Sequence, residues 1–299
     1  MPSSANEQQR LVLEPGDSPD HPMAAWFDDI RQTRIRHYAS RPLREPGTRS
    51  RALITMVHNE PVFLPIWLGY YSRFFAPEDI YVFDNETDDG STARDGFVRL
   101  PVRHNRVDHR WMVRTIQQLQ HELLDSYEIV LVTDVDEIVA PDPRRGTLGD
   151  YLDRFDEDWV NCLGYELLHG RDEPPLRLDE PILTQRHYWY FNDAYNKAAL
   201  ATKPMDWTPG FHGRTDGKYA LDPDLRLIHL HRMDYELCLE RHRTRSQRRW
   251  ARLDARRGWA GHNRIVDGEE FDRWFYEDAY FDRFAVKPEP IPERWRAAF

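Results

Sequence analysis

Residues 128–137 read EIVLVTDVDE, a largely apolar run from Glu128 to Thr133 that is followed at once by Asp134, Asp136 and Glu137. An apolar run of this length, bounded by polar residues, is typical of a strand buried in the middle of a sheet. The stretch therefore predicts a buried strand whose end carries two carboxylates separated by one residue.

Comparable apolar runs precede this stretch, and segments with helical spacing separate them. The predicted strands cover Ala52 to Val57, Asp79 to Phe83, and Val102 to Val107, and the predicted helices cover Pro61 to Phe75 and Trp111 to Leu124. Strands that alternate with helices of this length favour an α/β domain, in which helices cover both faces of a mostly parallel sheet.

Polar side chains follow three of these strands. They belong to the segments His58-Asn59-Glu60, Asp84-Asn85 and Asp134-Val135-Asp136. Because ligands of such sheets bind outside the carboxyl ends of the strands, we expect the three segments to meet at one edge of the sheet. This edge is the predicted ligand site.

The chain divides by composition into four parts. We predict a disordered tail over 1–22, a short helix and linker over 23–50, one α/β domain over 51–234 and a helical extension over 235–299. The extension opens with an Arg-rich helix predicted from Tyr235 to about Arg257. Such a helix is typical either of a solvated face or of a surface that binds a phosphorylated acceptor or anionic lipid.

Composition excludes several classes of protein. The 299 residues include 41 Lys and Arg against 51 Asp and Glu, a net charge of −10 that argues against general nucleic-acid binding. Two cysteines cannot form a disulfide framework, and no apolar stretch is long enough to span a membrane. The N-terminus has no secretory-signal pattern, so we expect a cytoplasmic protein, and a peripheral membrane contact stays open. Of the basic residues 37 are Arg, which suits contacts with small anions.

The pair Asp134 and Asp136 is the strongest chemical signal. Two carboxylates at a strand end can both reach a hard divalent cation, which prefers oxygen ligands and leaves positions open for phosphates. The plainer alternative is two solvated acids in a turn. Spacing alone does not separate these interpretations.

Three ordered motifs do separate them. They are Val57-His58-Asn59-Glu60, the run from Asp84 to Thr92 (DNETDDGST) and the DVDE of residues 134–137. Together, over residues 51–139, they resemble the family 2-like group of GT-A glycosyltransferases. The resemblance implies a Rossmann-like GT-A catalytic domain over 51–234, in which 51–140 binds a nucleotide-sugar and 141–234 completes the acceptor and metal side.

The resemblance also implies roles for individual residues. A UDP-, GDP- or dTDP-linked sugar would be the donor, with Mn²⁺ or Mg²⁺ on its diphosphate held by Asp134 and Asp136, and Asp84 would bind the base or ribose. The remaining donor contacts that it implies are Val57, His58, Asn59, Glu60, Asn85, Gln117, Val135 and Lys197.

A histidine from the later half is the third metal ligand that the resemblance implies. The candidates are His212, His229 and His231. The resemblance favours His231, because the family pattern places a histidine before a basic residue at this point. Imidazole is a usable ligand for Mn²⁺ beside carboxylates. Each of the three can equally be a packed or surface histidine.

Transfer to an acceptor hydroxyl, expected with inversion, requires a base near the donor sugar. Glu166 is the predicted base, and Asp172, Glu173 and Asp206 are the alternatives. The acceptor, a glycan, a lipid-linked sugar or a small molecule, is not specified by the sequence.

Two other functions compete with this hypothesis. A sugar-phosphate nucleotidyltransferase would use a related sheet, but it usually carries a Gly-rich basic loop after the first strand, where this chain has His58-Asn59-Glu60-Pro61. A non-catalytic nucleotide-sugar-binding protein would share the site without turnover.

Overall fold

The computed structural model describes residues 49–277 and 287–299, so the predicted tail over 1–22 and nearly all of the predicted helix and linker over 23–50 lie outside it. The strands are β1 (Arg51–Val57), β2 (Ile80–Asn85), β3 (Val98–Val102), β4 (Arg106–Val107), β5 (Ile129–Val132), β6 (Glu137–Pro141), β7 (Trp159–Leu168), β8 (Tyr188–Phe191), β9 (Leu200–Ala201), β10 (Leu221–His229), β11 (Arg249–Trp250) and β12 (Glu289–Pro290). The helices are α1 (Phe63–Tyr71), α2 (His109–Leu123), α3 (Leu148–Arg154), α4 (Ile182–Gln185), α5 (Tyr235–Ser246), α6 (Arg252–Arg257) and α7 (Gly268–Tyr276).

The first half of the main sheet is parallel, in the order β5-β1-β2-β3. In register, Val57 at the end of β1 lies opposite Asp84 of β2, and Ile54 of β1 lies opposite Val132 at the end of β5. The carboxyl ends of the strands therefore share one edge. The predicted α/β class, a sheet flanked by helices, is confirmed.

The second half of the sheet is mixed and is organised around the long strand β7. One edge of β7 pairs antiparallel with β9 and β8, whereas the other edge pairs parallel with β10, which in turn pairs antiparallel with β6. Through these two registers Glu137 of β6, His229 of β10 and Glu166 of β7 lie side by side. Because β6 begins directly after Asp136, this row lies next to the predicted metal pair.

The third predicted strand, Val102 to Val107, is wrong. Strand β3 ends at Val102, the last of its residues that pairs with β2. Leu100 and Val102 of this strand pack against the hydrophobic cluster that contains Phe83. Arg106–Val107 forms a separate short strand that pairs parallel with β11, outside the main sheet.

The single long Arg-rich helix predicted from Tyr235 to about Arg257 is also wrong. Helix α5 ends at Ser246 because Arg249–Trp250 leaves the helical path to pair with β4, and the Ala251 amide then donates to the Val107 carbonyl at 2.9 Å. Helix α6 restarts at Arg252. The break turns Trp250 toward the region of the predicted site.

Side chains of helix α1 form hydrogen bonds with the residue that follows β5 and with the backbone of β6. The buried Trp67 donates its indole N–H to the Thr133 hydroxyl at 2.9 Å. The buried Tyr71 hydroxyl donates to the Glu137 carbonyl at 3.1 Å and accepts from the Val139 amide at 2.8 Å. The Tyr71 bonds give partners to backbone N–H and C=O groups on the edge of β6 that does not pair with β10. Together with the Trp67 bond they hold both ends of the turn that carries Asp134 and Asp136.

In the described part of the chain, no helix has both the length and the apolar composition needed to cross a bilayer.

Replacing Tyr71 by Phe removes this hydroxyl and leaves a buried amide and a buried carbonyl of β6 without a partner. We expect Tyr71→Phe to lower the free energy of unfolding by about 1–3 kcal/mol in urea denaturation, the cost of such unsatisfied groups. The control is Tyr188→Phe, because Tyr188 is exposed and its loss of a hydroxyl should leave the stability nearly unchanged. Equal stabilities of the two variants would contradict this account of the β6 edge.

Candidate active site

A cavity of about 620 Å³ opens at the carboxyl ends of β1 and β5. Its walls come from the turns after these strands, from the end of β10, from residues 194–197 and 209–212, and from the chain after Tyr235. The volume lies within the range of small-molecule and cofactor pockets, roughly 300–1,000 Å³.

Most of the predicted site residues line this cavity. They are Val57, His58, Glu60, Asn85, Asp134, Val135, Asp136, Lys197 and His231. Four predicted residues do not line it: Asn59, Asp84, Gln117 and Glu166.

Asn59 and Asp84 shape the loop after β2 instead. The Asn59 side chain exchanges hydrogen bonds with Asp88, and the Asp84 carboxylate accepts from the Thr87 amide and the Thr92 hydroxyl, both at 2.9 Å, and pairs with Arg99. Both oxygens of Asp84 therefore have partners within the protein, in the loop after β2 and in β3, and its contact with a base or ribose stays a prediction.

Gln117 and Glu166 also contact other parts of the protein and do not line the cavity. Gln117 donates to Asp206 at 2.7 Å and accepts from the Trp207 amide at 3.2 Å, so it fastens α2 to a surface loop. Glu166 lies within β7, which runs to Leu168, and it is 1% exposed. Because Glu166 does not line the cavity, its role as the general base stays a prediction.

The metal-ligand candidates converge on Asp136. His229 Nε2 lies 3.4 Å and His231 Nδ1 lies 3.5 Å from Asp136 Oδ2, and all three side chains are buried. The donor atoms of these residues lie within 4.8 Å of one another. Of the three histidines left open by the sequence, the structure brings two to Asp136, whereas His212 lies elsewhere on the cavity wall against the Ala194 carbonyl.

Glu166 orients His229 within this group. The two Glu166 oxygens lie 3.1 and 3.0 Å from His229 Nδ1, which leaves Nε2 directed at Asp136. Burial disfavours a charged imidazole, but the carboxylates of Glu166 and Asp136 outweigh it and raise the pKa of His229 to about 10. The centre therefore attracts positive charge strongly.

Arg241 supplies positive charge from the other side. Its guanidinium donates to Asp136 and, at 2.8 to 3.1 Å, to both oxygens of Glu60. Arg245 also donates to Glu60, at 3.0 Å. Burial works against the charge of Asp136, yet Arg241 and His229 outweigh it and hold the pKa of Asp136 well below its usual range.

The predicted pair of metal-binding aspartates is divided in the structure. Asp134 points to Lys197, whose ammonium lies 2.6 Å from Asp134 and 2.6 Å from the fully buried Glu137. Burial raises the pKa of Glu137 to about 7, against the opposing effect of Lys197. The set gathered at one point is therefore Asp136, His229 and His231, and Asp134 is not part of it.

The last segment contributes basic and aromatic residues to the cavity that the sequence analysis did not assign to the predicted donor or metal site. They are Arg241, Arg245, Arg248, Trp250, Trp259 and His262. The spacing of the three arginines was a signal in the sequence. Arg241, Arg245 and Arg248 are at positions i, i+4 and i+7, which lie on one face of a helix. This signal was hidden because arginines occur on the other faces of the segment as well.

No protein-family model matches the chain, and no curated protein matches it in sequence. Among solved structures, the chain is similar to the mannosyltransferase PcManGT from Pyrobaculum calidifontis, determined in complex with GDP-Man and Mn²⁺. The identity is 14% over 76% of this chain and 72% of that chain, with a TM-score of 0.36.

Replacing Lys197 by Met tests the charge balance of the site. The change leaves Glu137 and Asp134 without their common cation, and we expect it to lower the free energy of unfolding by about 3–5 kcal/mol at pH 9, where Glu137 is charged, as for a broken buried pair. Lowering the pH to 7 should reduce this loss, because removal of Lys197 raises the pKa of Glu137 further and the buried carboxyl then takes up a proton. Urea denaturation at both pH values provides the measurement.

Lys218→Met is the matched control. The Lys218 side chain is 66% exposed and lies 3.9 Å from Asp216, so its removal should change the stability by less than about 1 kcal/mol. If the two Lys→Met variants lost the same stability, the proposed charge balance would be wrong.

Proposed function

We propose that this chain is a metal-dependent glycosyltransferase, which moves a sugar from a nucleotide-diphosphate sugar to an acceptor hydroxyl with inversion. The observation that carries the proposal is the convergence of Asp136, His229 and His231 at one strand end beside a cavity with an arginine-rich wall. The sequence motifs after β1, β2 and β5 agree with it, because they place polar residues at the same sheet edge.

The donor set fits a divalent cation. A carboxylate with two imidazoles suits Mn²⁺ better than Mg²⁺, because Mg²⁺ prefers oxygen ligands and keeps most of its waters. Glu166 on the far nitrogen of His229 is the kind of partner that metal-bound histidines usually have. Mn²⁺ is therefore the cation that we propose, with Mg²⁺ as the weaker alternative.

The charge of the centre fits as well. Asp136 and Glu166 raise the pKa of His229, and a divalent cation bound by Asp136 and His229 Nε2 would displace a proton from Nε2 while Nδ1 still donates to Glu166. When bound, such a cation would neutralise charge on the donor diphosphate.

The arginines of the last segment form the phosphate-binding wall in this proposal. Arg241, Arg245 and Arg248 all line the cavity, and guanidinium groups match the geometry of phosphate oxygens. Glu60 holds the first two in place through direct hydrogen bonds, so it positions the arginines and is not itself a donor contact. The proposed catalytic unit therefore extends beyond 51–234 into the C-terminal extension.

Two predicted roles change in this proposal. We propose Glu166 as a positioning residue that acts through His229, and Asp84 as a residue that shapes the loop after β2. The nucleotide is proposed to lie against His58 and Asn85, where the His58 Nδ1 atom contacts the Asn85 carbonyl at 2.8 Å and fixes the wall between β1 and β2.

Thermal-shift measurements with UDP-, GDP- and dTDP-sugars test the proposal. We expect at least one donor to raise the melting temperature in the presence of Mn²⁺ and to do so much less without it. Asp136→Asn should remove the Mn²⁺-dependent part of the shift, because the substitution replaces the only carboxylate of the donor set among the described residues. Incubation with the stabilising donor and a panel of acceptor glycans should then release the nucleoside diphosphate.

The matched control is Asp95→Asn, which makes the same chemical change at an exposed residue away from the cavity. It should keep the full shift. If no donor stabilises the wild-type chain, or if Asp136→Asn and Asp95→Asn respond alike, the proposal of a metal-dependent nucleotide-sugar site is wrong.

A further inference from the structure

His242, on helix α5, contacts the proposed metal ligand His231 through the ring nitrogen of His231 that does not face Asp136. Its Nε2 atom lies 2.8 Å from His231 Nε2, and the two residues are 0% and 3% exposed. A distance of this kind between two buried ring nitrogens requires one shared proton, because one nitrogen must donate and the other accept. If the proton is on His231 Nε2, a neutral His231 has its lone pair on Nδ1, the nitrogen that faces Asp136.

The backbone determines which ring carries the shared proton. His242 Nδ1 lies 2.9 Å from the Ile265 carbonyl oxygen, which can only accept, so Nδ1 carries a hydrogen. His242 is fully buried, and its polar contacts among the described residues are His231, Cys238 and the Ile265 carbonyl, so no carboxylate there balances a second proton on the ring. A neutral ring with hydrogen on Nδ1 has a lone pair on Nε2. The shared proton therefore belongs to His231 Nε2.

His231 Nδ1 is then left with a lone pair on the side of Asp136. It lies 3.5 Å from Asp136 Oδ2, another acceptor, and 3.4 Å from a guanidinium nitrogen of Arg241. Two acceptors that face each other in a buried place repel unless positive charge lies between or beside them. The geometry is that of a ligand nitrogen, with Arg241 as the neighbouring positive charge.

We propose that His242 and the Ile265 carbonyl fix the tautomer of His231, so that Nδ1 is held as a lone-pair donor for a divalent cation. The inference rests on the proposed function, because that function supplies the cation. His242 is a positioning residue, and it does for His231 what Glu166 does for His229. Helix α5 thus contributes to metal affinity as well as to phosphate binding.

A second metal centre at His231, Cys238 and His242 is the competing explanation of this cluster, since their donor atoms also lie close together. The distances favour the shared proton. Two nitrogens that bind one tetrahedral zinc ion, each at about 2.0–2.1 Å, lie roughly 3.3 Å apart, which is longer than the 2.8 Å between His231 and His242. The Cys238 sulfur lies 3.8 Å from His242 Nε2, as for a weak S–H donor to the same lone pair.

The test compares two substitutions of His242 in the full chain. His242→Gln keeps an acceptor oxygen and a donor nitrogen, whereas His242→Phe keeps the ring shape without either. We expect Mn²⁺ titration followed by calorimetry to give an affinity within about threefold of wild type for His242→Gln and about 10–100-fold weaker for His242→Phe. His121→Phe, which removes a histidine that contacts the Met205 carbonyl away from the cavity, should leave the affinity unchanged.

A second readout does not depend on metal or on the folding of a variant. Long-range ¹H–¹⁵N spectra of the wild-type chain before addition of metal should show His231 protonated on Nε2 and His242 protonated on Nδ1. Protonation of His231 on Nδ1 would overturn the inference, as would wild-type Mn²⁺ affinity in a folded His242→Phe chain.

The remaining outcomes separate this inference from the proposed function. A second bound metal ion that disappears in Cys238→Ala would show that the cluster is itself a metal centre and would overturn the inference alone. If the wild-type chain binds no Mn²⁺, the proposed function fails, and the role assigned to His242 fails with it.

Discussion

Four carboxylates lie next to one another at the ends of β1 and β5, and the rest of the structure depends on how their charge is balanced. Lys197 lies between Asp134 and Glu137, and Arg241 lies between Asp136 and Glu60. Glu60, Asp136 and Glu137 are at most 4% exposed. Removing one partner of such a buried pair costs several kcal/mol, so each cation is a structural requirement as well as part of the site.

This balance explains why three distant parts of the chain meet. The acids come from the first half of the α/β domain, Lys197 comes from the second half, and Arg241 comes from the helix that follows. His229 enters the same centre through the pairing of β10 with β6 and β7. Some of the acidic residues of the chain are thus paired with arginines of the last segment. These pairs place carboxylates and guanidinium groups together beside the proposed diphosphate site.

The sequence predicted the parts of the site that strand order determines. Apolar runs located β1, β2 and β5, and parallel pairing then placed the turns after them at one edge, with Glu60 and Asp136 on the cavity. It could not show which partner each acid takes, since that depends on side chains far away in the sequence. The neighbouring sequence does not indicate that Lys197 forms an ion pair with Asp134 or that Arg241 forms one with Asp136. Nor does it indicate that the pairing of β10 with β7 places Glu166 next to His229.

The most direct test of the account is a crystal structure with Mn²⁺ and a nucleoside diphosphate, measured for the anomalous scattering of manganese. We predict one strong anomalous peak about 2.2 Å from a carboxylate oxygen of Asp136, from His229 Nε2 and from His231 Nδ1, with the diphosphate against the arginine wall. A peak held by Asp134 without the histidines, or no peak at Asp136, would contradict it.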